Sequence, residues 1–170
     1  MNKTLKIFKH RPYAQIPEYS TDLAACFDLR ACLEEGSTLT YYTEENVKSS
    51  RVIGGFQAVT LYSYERILIP TGLIFDLCPD QSMRIHNRSS IPWKHGVILC
   101  NAQGIIDADY TNETFIMLQN LSTDPFEICH GDRIAQAEIV ETIQVSMAEI
   151  TEAPTQKGNR TGGHGSTGRK

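Results

Sequence analysis

The sequence predicts an all-β domain, a sandwich or barrel, with one short helix. Apolar residues recur with a period of two, turn residues interrupt them at short intervals, and no long amphipathic helical pattern occurs. Thr4-Leu5-Lys6-Ile7-Phe8 alternates, as do Arg66–Pro70 and 83–86. Further short apolar runs at 72–77, 96–101, 114–118, 133–140 and 144–150 read as strands. Pro70, Pro79-Asp80, Ser122-Thr123-Asp124-Pro125 and His130-Gly131-Asp132 supply the turns between them. The helix candidate opens at Ser89-Ser90-Ile91-Pro92-Trp93-Lys94-His95, where a serine can cap and proline is tolerated in the first turn. Residues 41–59 are polar, glycine-broken and weakly periodic, and read as a surface excursion between two strands.

At 170 residues and 41% hydrophobic content, one globular domain is expected over 1–152, followed by an arm over 153–170. Five glycines among the last fourteen residues exclude a regular strand or helix there. The cations, hydroxyls and imidazole between them suit a flap that closes on an anion, although a plain disordered tail has the same composition. A net charge of −4 disfavours general nucleic-acid binding. Five cysteines form no CxxC pair, which points to reduced thiols and an intracellular, cytoplasmic setting (host cytoplasm for a viral protein). No run approaches the length of a membrane span.

Four segments could carry chemistry. In the run from Asn101 to Tyr110, two apolar stretches flank Gly104, so a β-hairpin is expected. Asp107 there could orient water as a base, and Tyr110 offers a flat ring; two solvated aspartates in a turn are the plain alternative. Arg88, Ser89 and Ser90 lie where a strand gives way to the helix, a place for phosphate or an ordinary capped start. Asp28, among apolar neighbours, could face Mg²⁺ or pair with an arginine. Gln136, entering a strand after Gly131-Asp132, could contact a ligand or satisfy backbone groups.

In order, AACFDLRA, RSS, GIIDADY, GDRIAQ and GGHGSTG resemble the five motifs of the trimeric deoxyuridine triphosphatase (dUTPase) family, from about Ala24 to Gly168. The resemblance implies a jelly-roll or distorted β-barrel, a homotrimer with sites shared between subunits, and Mg²⁺-dependent hydrolysis of dUTP to dUMP and pyrophosphate. By the same resemblance, Asp107 orients the attacking water and Tyr110 packs under the deoxyribose and excludes a 2′-hydroxyl. Asn101 and the backbone around Gly104 and Ile105 read the uracil. Arg88, Ser89, Ser90 and Gln136 hold phosphates, and Asp28 contacts the metal's water. His164 lies over the base, and Gly165, Ser166 and Thr167 reach the terminal phosphate. The chain departs from the family pattern at Cys26 (usually glycine), Asn87 (commonly proline) and Thr111-Asn112 (usually Arg-Gly). In the arm, Asn159 stands where the family's arginine lies: either the loop tightens and Arg160, one residue closer to His164, reaches the terminal phosphate, or that contact is lost or supplied by Lys157. Alternatives are a dCTP deaminase on the same scaffold, a diphosphatase for another deoxypyrimidine, or a nucleotide-switched protein partner bound through 41–59.

Overall fold

The computed structural model describes residues 4–159 and 162. Among them, thirteen strands and one short helix, in two larger and two small sheets, make the fold nearly all β; the sheets do not close into a barrel.

One larger sheet has four strands, in the order β10 (Gly104–Ile106), β8 (Gln81–His86), β13 (Arg133–Glu141), β2 (Phe27–Arg30). The other has five: β4 (Lys48–Val52), β3 (Thr38–Tyr42), β6 (Arg66–Pro70), β11 (Phe115–Asn120), β9 (Val97–Leu99). Two antiparallel pairs complete the fold, β1 (Lys6–Lys9) with β7 (Leu73–Asp76), and β5 (Ala58–Leu61) with β12 (Phe126–Cys129). Alternation buries one set of side chains from each strand: Ile67 and Ile69 from β6, Ile116 and Leu118 from β11, Met83 and Ile85 from β8. The helix α1 (Ser90–His95) ends at Gly96, whose φ of 66° is a left-handed cap that glycine adopts without strain.

Three expectations are corrected. Residues 41–59 are not an excursion: they complete β3, form β4 and open β5, and Ile53 and Val59 are buried in the core. The polar alternation of Lys-Ser-Ser-Arg-Val belongs to an edge strand, whose outward face needs no apolar residue. Arg51 shows why this hairpin sits firmly. Its guanidinium lies 4.2 Å from the Tyr41 ring centre, bonds the Thr60 carbonyl, and pairs with the nearly buried Glu65 at 2.9 Å. Second, Asn101–Tyr110 is not a hairpin: β9 pairs with β11 and β10 with β8, so the turn crosses from one sheet to the other. Third, the run at 144–150 pairs with no strand among the described residues. It is exposed, with Val145, Met147 and Ile150 uncovered.

Replacing Arg51 by methionine strands the Glu65 carboxylate and is expected to cost about 3 kcal/mol, read as a lower urea midpoint at unchanged slope. Burial pushes the Cys32 thiol up to about 11 from 9.0. The folded thiol therefore keeps its proton where the unfolded one has lost it. The contribution is whole below pH 9 and fades as pH rises from 9 to 11, by about 2–3 kcal/mol. Urea titrations at pH 8 and pH 11 should show the loss, and Cys32→Ala should shrink it.

Candidate active site

The four-stranded sheet sets the site by its register. Asp28 lies beside Gln136, and Gln136 beside His86, in one row across β2, β13 and β8. The neighbouring row, Phe27, Ala137, Ile85 and Gly104, is buried, so the polar row stands on the opposite face. A shift in pairing between Arg133 and Ala135 marks a bulge at the start of β13. Arg133 there reaches Asp28.

Asp28 is held by two arginines. Arg88 Nε meets Oδ1 at 2.8 Å, and Arg133 Nη1 and the Ser20 hydroxyl meet Oδ2 at 3.1 and 3.0 Å. Arg88 also donates to the Arg133 carbonyl at 3.1 Å. The alternative of an arginine-paired carboxylate is thus realised. Asp28 neutralises one of two guanidinium charges and fixes both. Ser89, Ser90, Cys26 and Gln136 line the same cavity, of about 430 Å³. Gln136 Nε2 donates to the Asn87 carbonyl at 2.8 Å, which leaves its amide oxygen facing outward from that bond. Burial first, then the Glu138 and Asp28 carboxylates, push the Cys26 thiol up, so it adds no negative charge to an anion pocket.

The helix expectation is corrected at this point. Ser89 makes no side-chain capping bond, and α1 has only six residues. Attraction for an anion comes from Arg88 and Arg133 rather than from a helix dipole. Arg133 is a site residue that sequence reasoning misses; its position directly after Gly131-Asp132 and two residues before Ala135 carries no sign of the bulge that turns it. Asn87 matters as more than a departure from the family pattern: its Oδ1 accepts from Leu99 N–H at 2.7 Å and ties the end of β8 to β9.

Asn101, Gly104, Ile105, Asp107 and Tyr110 form a second group. Gly104 is required where it stands, since a Cβ there would lie 2.9 Å from Ile85 Cβ. Asn101 is exposed in the turn, and its carbonyl accepts from Gln103 N–H at 2.6 Å. Asp107 is exposed just beyond β10, and its carbonyl accepts from Tyr110 N–H at 3.1 Å. No partner holds its carboxylate among the described residues. The Tyr110 hydroxyl donates to the Glu113 carbonyl at 2.9 Å.

One chain does not bring the two groups together. Gln103 stands beside His86 at 3.5 Å, so three strand steps, roughly 14 Å, separate its row position from Asp28. Asp107 lies four residues further on, past β10, roughly another 13 Å. The combined separation, roughly 20 Å, exceeds the length of a triphosphate. Arg160, His164, Gly165, Ser166 and Thr167 lie outside the described residues.

The donor set does not form a resident metal cage. Among the described residues no group of three or more His, Cys, Asp or Glu side chains could hold an ion. Both oxygens of Asp28 are already occupied by cationic or hydroxyl donors. All five cysteines are free, and no helix among the described residues is long and apolar enough to cross a membrane.

Comparison with known proteins gives a consistent picture. The dUTPase family model matches residues 55–168. The deoxyuridine 5′-triphosphate nucleotidohydrolase of Rhizobium rhizogenes is 38% identical over 90% of this chain and 85% of its own. That of Anaeromyxobacter is 34% identical over 98% of this chain and 97% of its own. Among solved structures, a point mutant of the dUTPase of Staphylococcus bacteriophage 80alpha, with dUpNHpp, superposes with a TM-score of 0.73. It has 18% identity and covers 98% of this chain and 99% of that one. A mutant dUTPase from a phage of S. aureus, described with a structural Mg(II) ion, superposes at 0.70 with 17% identity, over 90% of this chain and 100% of its own. The fold is the one those structures share, and with the family model covering two thirds of its length, this chain belongs to the dUTPase family.

Proposed function

We propose that the protein hydrolyses dUTP to dUMP and pyrophosphate, in sites that neighbouring copies build together as a homotrimer. The observation that carries the shared site is the separation just described. Asp107 and the Asp28–Arg88–Arg133 pocket must act on one triphosphate, and in one chain they lie roughly 20 Å apart. A second copy supplying the Asp107 loop resolves this. The uncovered Ile143, Val145 and Met147 give such copies an apolar segment to bury.

In this reading the anionic chain of dUTP lies in the arginine-lined pocket. Arg88, Ser89, Ser90 and Gln136 hold phosphate oxygens, joined by Arg133. Mg²⁺ belongs to the substrate: phosphate oxygens are the hard ligands it prefers, and Asp28 reaches only its water. Its charge offsets that of the phosphates. The exposed Asp107 carboxylate accepts a proton from water and aims it in line at the α-phosphorus. Tyr110 packs under the deoxyribose, and the backbone at Asn101, Gly104 and Ile105 reads the uracil edge. Fixed backbone groups discriminate well, because a wrong base leaves them unsatisfied. Residues 153–170 form the arm, whose His164 covers the base while Gly165, Ser166, Thr167 and Arg160 reach the terminal phosphate. A deaminase would need an acid on the strand after the Asp107 loop, and β11, Phe-Ile-Met-Leu-Gln-Asn, has none.

Asp107→Asn should lower pyrophosphate release from dUTP by about 100-fold or more, with nucleotide affinity by calorimetry little changed. Full turnover in that variant would exclude Asp107 as the residue that directs water. Mixing gives a separate test of sharing. Asp107→Asn and Arg88→Met subunits, each inactive alone, should regain about a quarter of wild-type activity after co-refolding, the chance that a site draws both intact residues from different chains. A mixture no more active than its parents would show that each site is built within one chain. In a panel of dUTP, dCTP, dTTP and UTP, dUTP should give the fastest pyrophosphate release; preference for another base would redirect the assignment.

A further inference from the structure

We propose that Glu113, clamped by Arg11, is a positioning residue for the sugar end of the site: it fixes where the Tyr110 ring lies, and thereby the choice between deoxyribose and ribose. The inference rests on the proposed dUTP reading and deepens it.

The loop carrying Asp107 and Tyr110 is mostly exposed from 107 to 112 and enters the core only at Glu113 and Thr114. Its internal bonds are few. Tyr110 N–H reaches the Asp107 carbonyl, and the Tyr110 hydroxyl donates to the Glu113 carbonyl at 2.9 Å. The ring is therefore tethered at its far end to the backbone of Glu113, and the placement of that residue becomes the placement of the ring.

Glu113 is a buried carboxylate, 7% exposed, met by three donors. Arg11 Nε and Nη2 make a two-pronged contact at 2.7 and 2.9 Å, and Gly72 N–H donates to Oε1 at 2.8 Å. Gly72 is itself fixed. Its φ is +71°, and a Cβ would fall 2.6 Å from Ala14 Cβ and 2.9 Å from Cys32 Sγ. Its carbonyl accepts from His10 N–H at 2.8 Å. Thr114 adds a backbone bond on each side: its N–H reaches the Leu73 carbonyl, and its carbonyl accepts from Thr71 N–H. Arg11 has a second carboxylate, Glu34, at 3.7 Å, so the guanidinium is held between two acids; the Glu113 contact, more than any other influence, raises its affinity for the proton.

A buried ion pair is a weak device for stability, since an apolar pair of the same volume does as well or better. Its advantage is geometric. Three donors from two segments, the N-terminal loop and the Gly72 turn, fix the carboxylate in position and orientation. An apolar side chain at 113 would bury as much surface yet leave the loop free to shift. Small displacements there matter, because rejecting a 2′-hydroxyl depends on close contact with the ring.

The test is the ratio of kcat/KM for dUTP to that for UTP in the full-length protein, with melting temperature measured alongside. Glu113→Gln keeps the shape, removes the charge and replaces one acceptor facing Arg11 with a donor. It should lower the ratio at least tenfold, more than it lowers kcat for dUTP. Tyr110→Phe cuts only the tether at the protein surface and should lower the ratio in the same direction. The double variant should be no worse than the worse single one, because both act through one link. A ratio unchanged in Tyr110→Phe overturns the proposal even where Glu113→Gln does not fold. So does a Glu113→Gln protein that melts earlier but discriminates as before, or a double variant whose losses multiply. Wild-type protein that splits no dUTP would instead sink the parent reading.

Discussion

The register of β13 is the constraint on which the site depends. This nine-residue strand pairs with β8 on one side and β2 on the other, and it alone joins the Asp28 and His86 strands into one sheet. A slip of one residue would turn Gln136 into the core and bring Ala137 to the polar face. The inner row of Phe27, Ala137 and Ile85 prevents that slip, since it would force polar groups into the apolar interior. The placement of the Asp28 pocket is thus a by-product of hydrophobic packing on the other side of the sheet.

Local charge, not net charge, decides what such a pocket attracts. The chain is acidic overall, yet around Asp28 two guanidinium groups converge on one carboxylate. The excess is a single positive charge held in a defined orientation, with hydroxyls and an amide beside it. The carboxylate keeps the arginines apart and aimed before a ligand arrives, so less ordering remains to be done on binding.

Much of this is legible in the sequence, and the losses have physical causes. Strands with apolar residues at alternate buried positions, Ile67 and Ile69 in β6 and Met83 and Ile85 in β8, lie where the pattern puts them, because one face of each meets the core. β4 escapes notice because an edge strand with a polar outer face carries no apolar period. The 101–110 segment reads as a hairpin because apolar stretches beside a turn show where strands run but not which strand pairs with which. The run at 144–150 has the pattern of a strand without a partner among the described residues of its own chain, and pairing is not a property of one segment. Asp28, Arg88, Ser89, Ser90 and Gln136, each singled out through its motif, line one cavity. Arg133 and Glu113 leave no such trace, since a bulge and a buried ion pair arise from contacts between segments distant in the chain.

The outermost strand of the five-stranded sheet has one further consequence. Among the described residues, the outer side of β4 has no neighbouring strand, which leaves a row of main-chain donors and acceptors onto which another polypeptide could zip. Four of its five residues, Lys48, Ser49, Ser50 and Arg51, are cationic or hydroxylated, the arginine is already drawn inward by Glu65, and Val52 alone exposes apolar surface. Such a rim stays wet and sets Lys48 and hydroxyls, rather than an apolar row, on the open edge, which disfavours edge-to-edge stacking into fibrils.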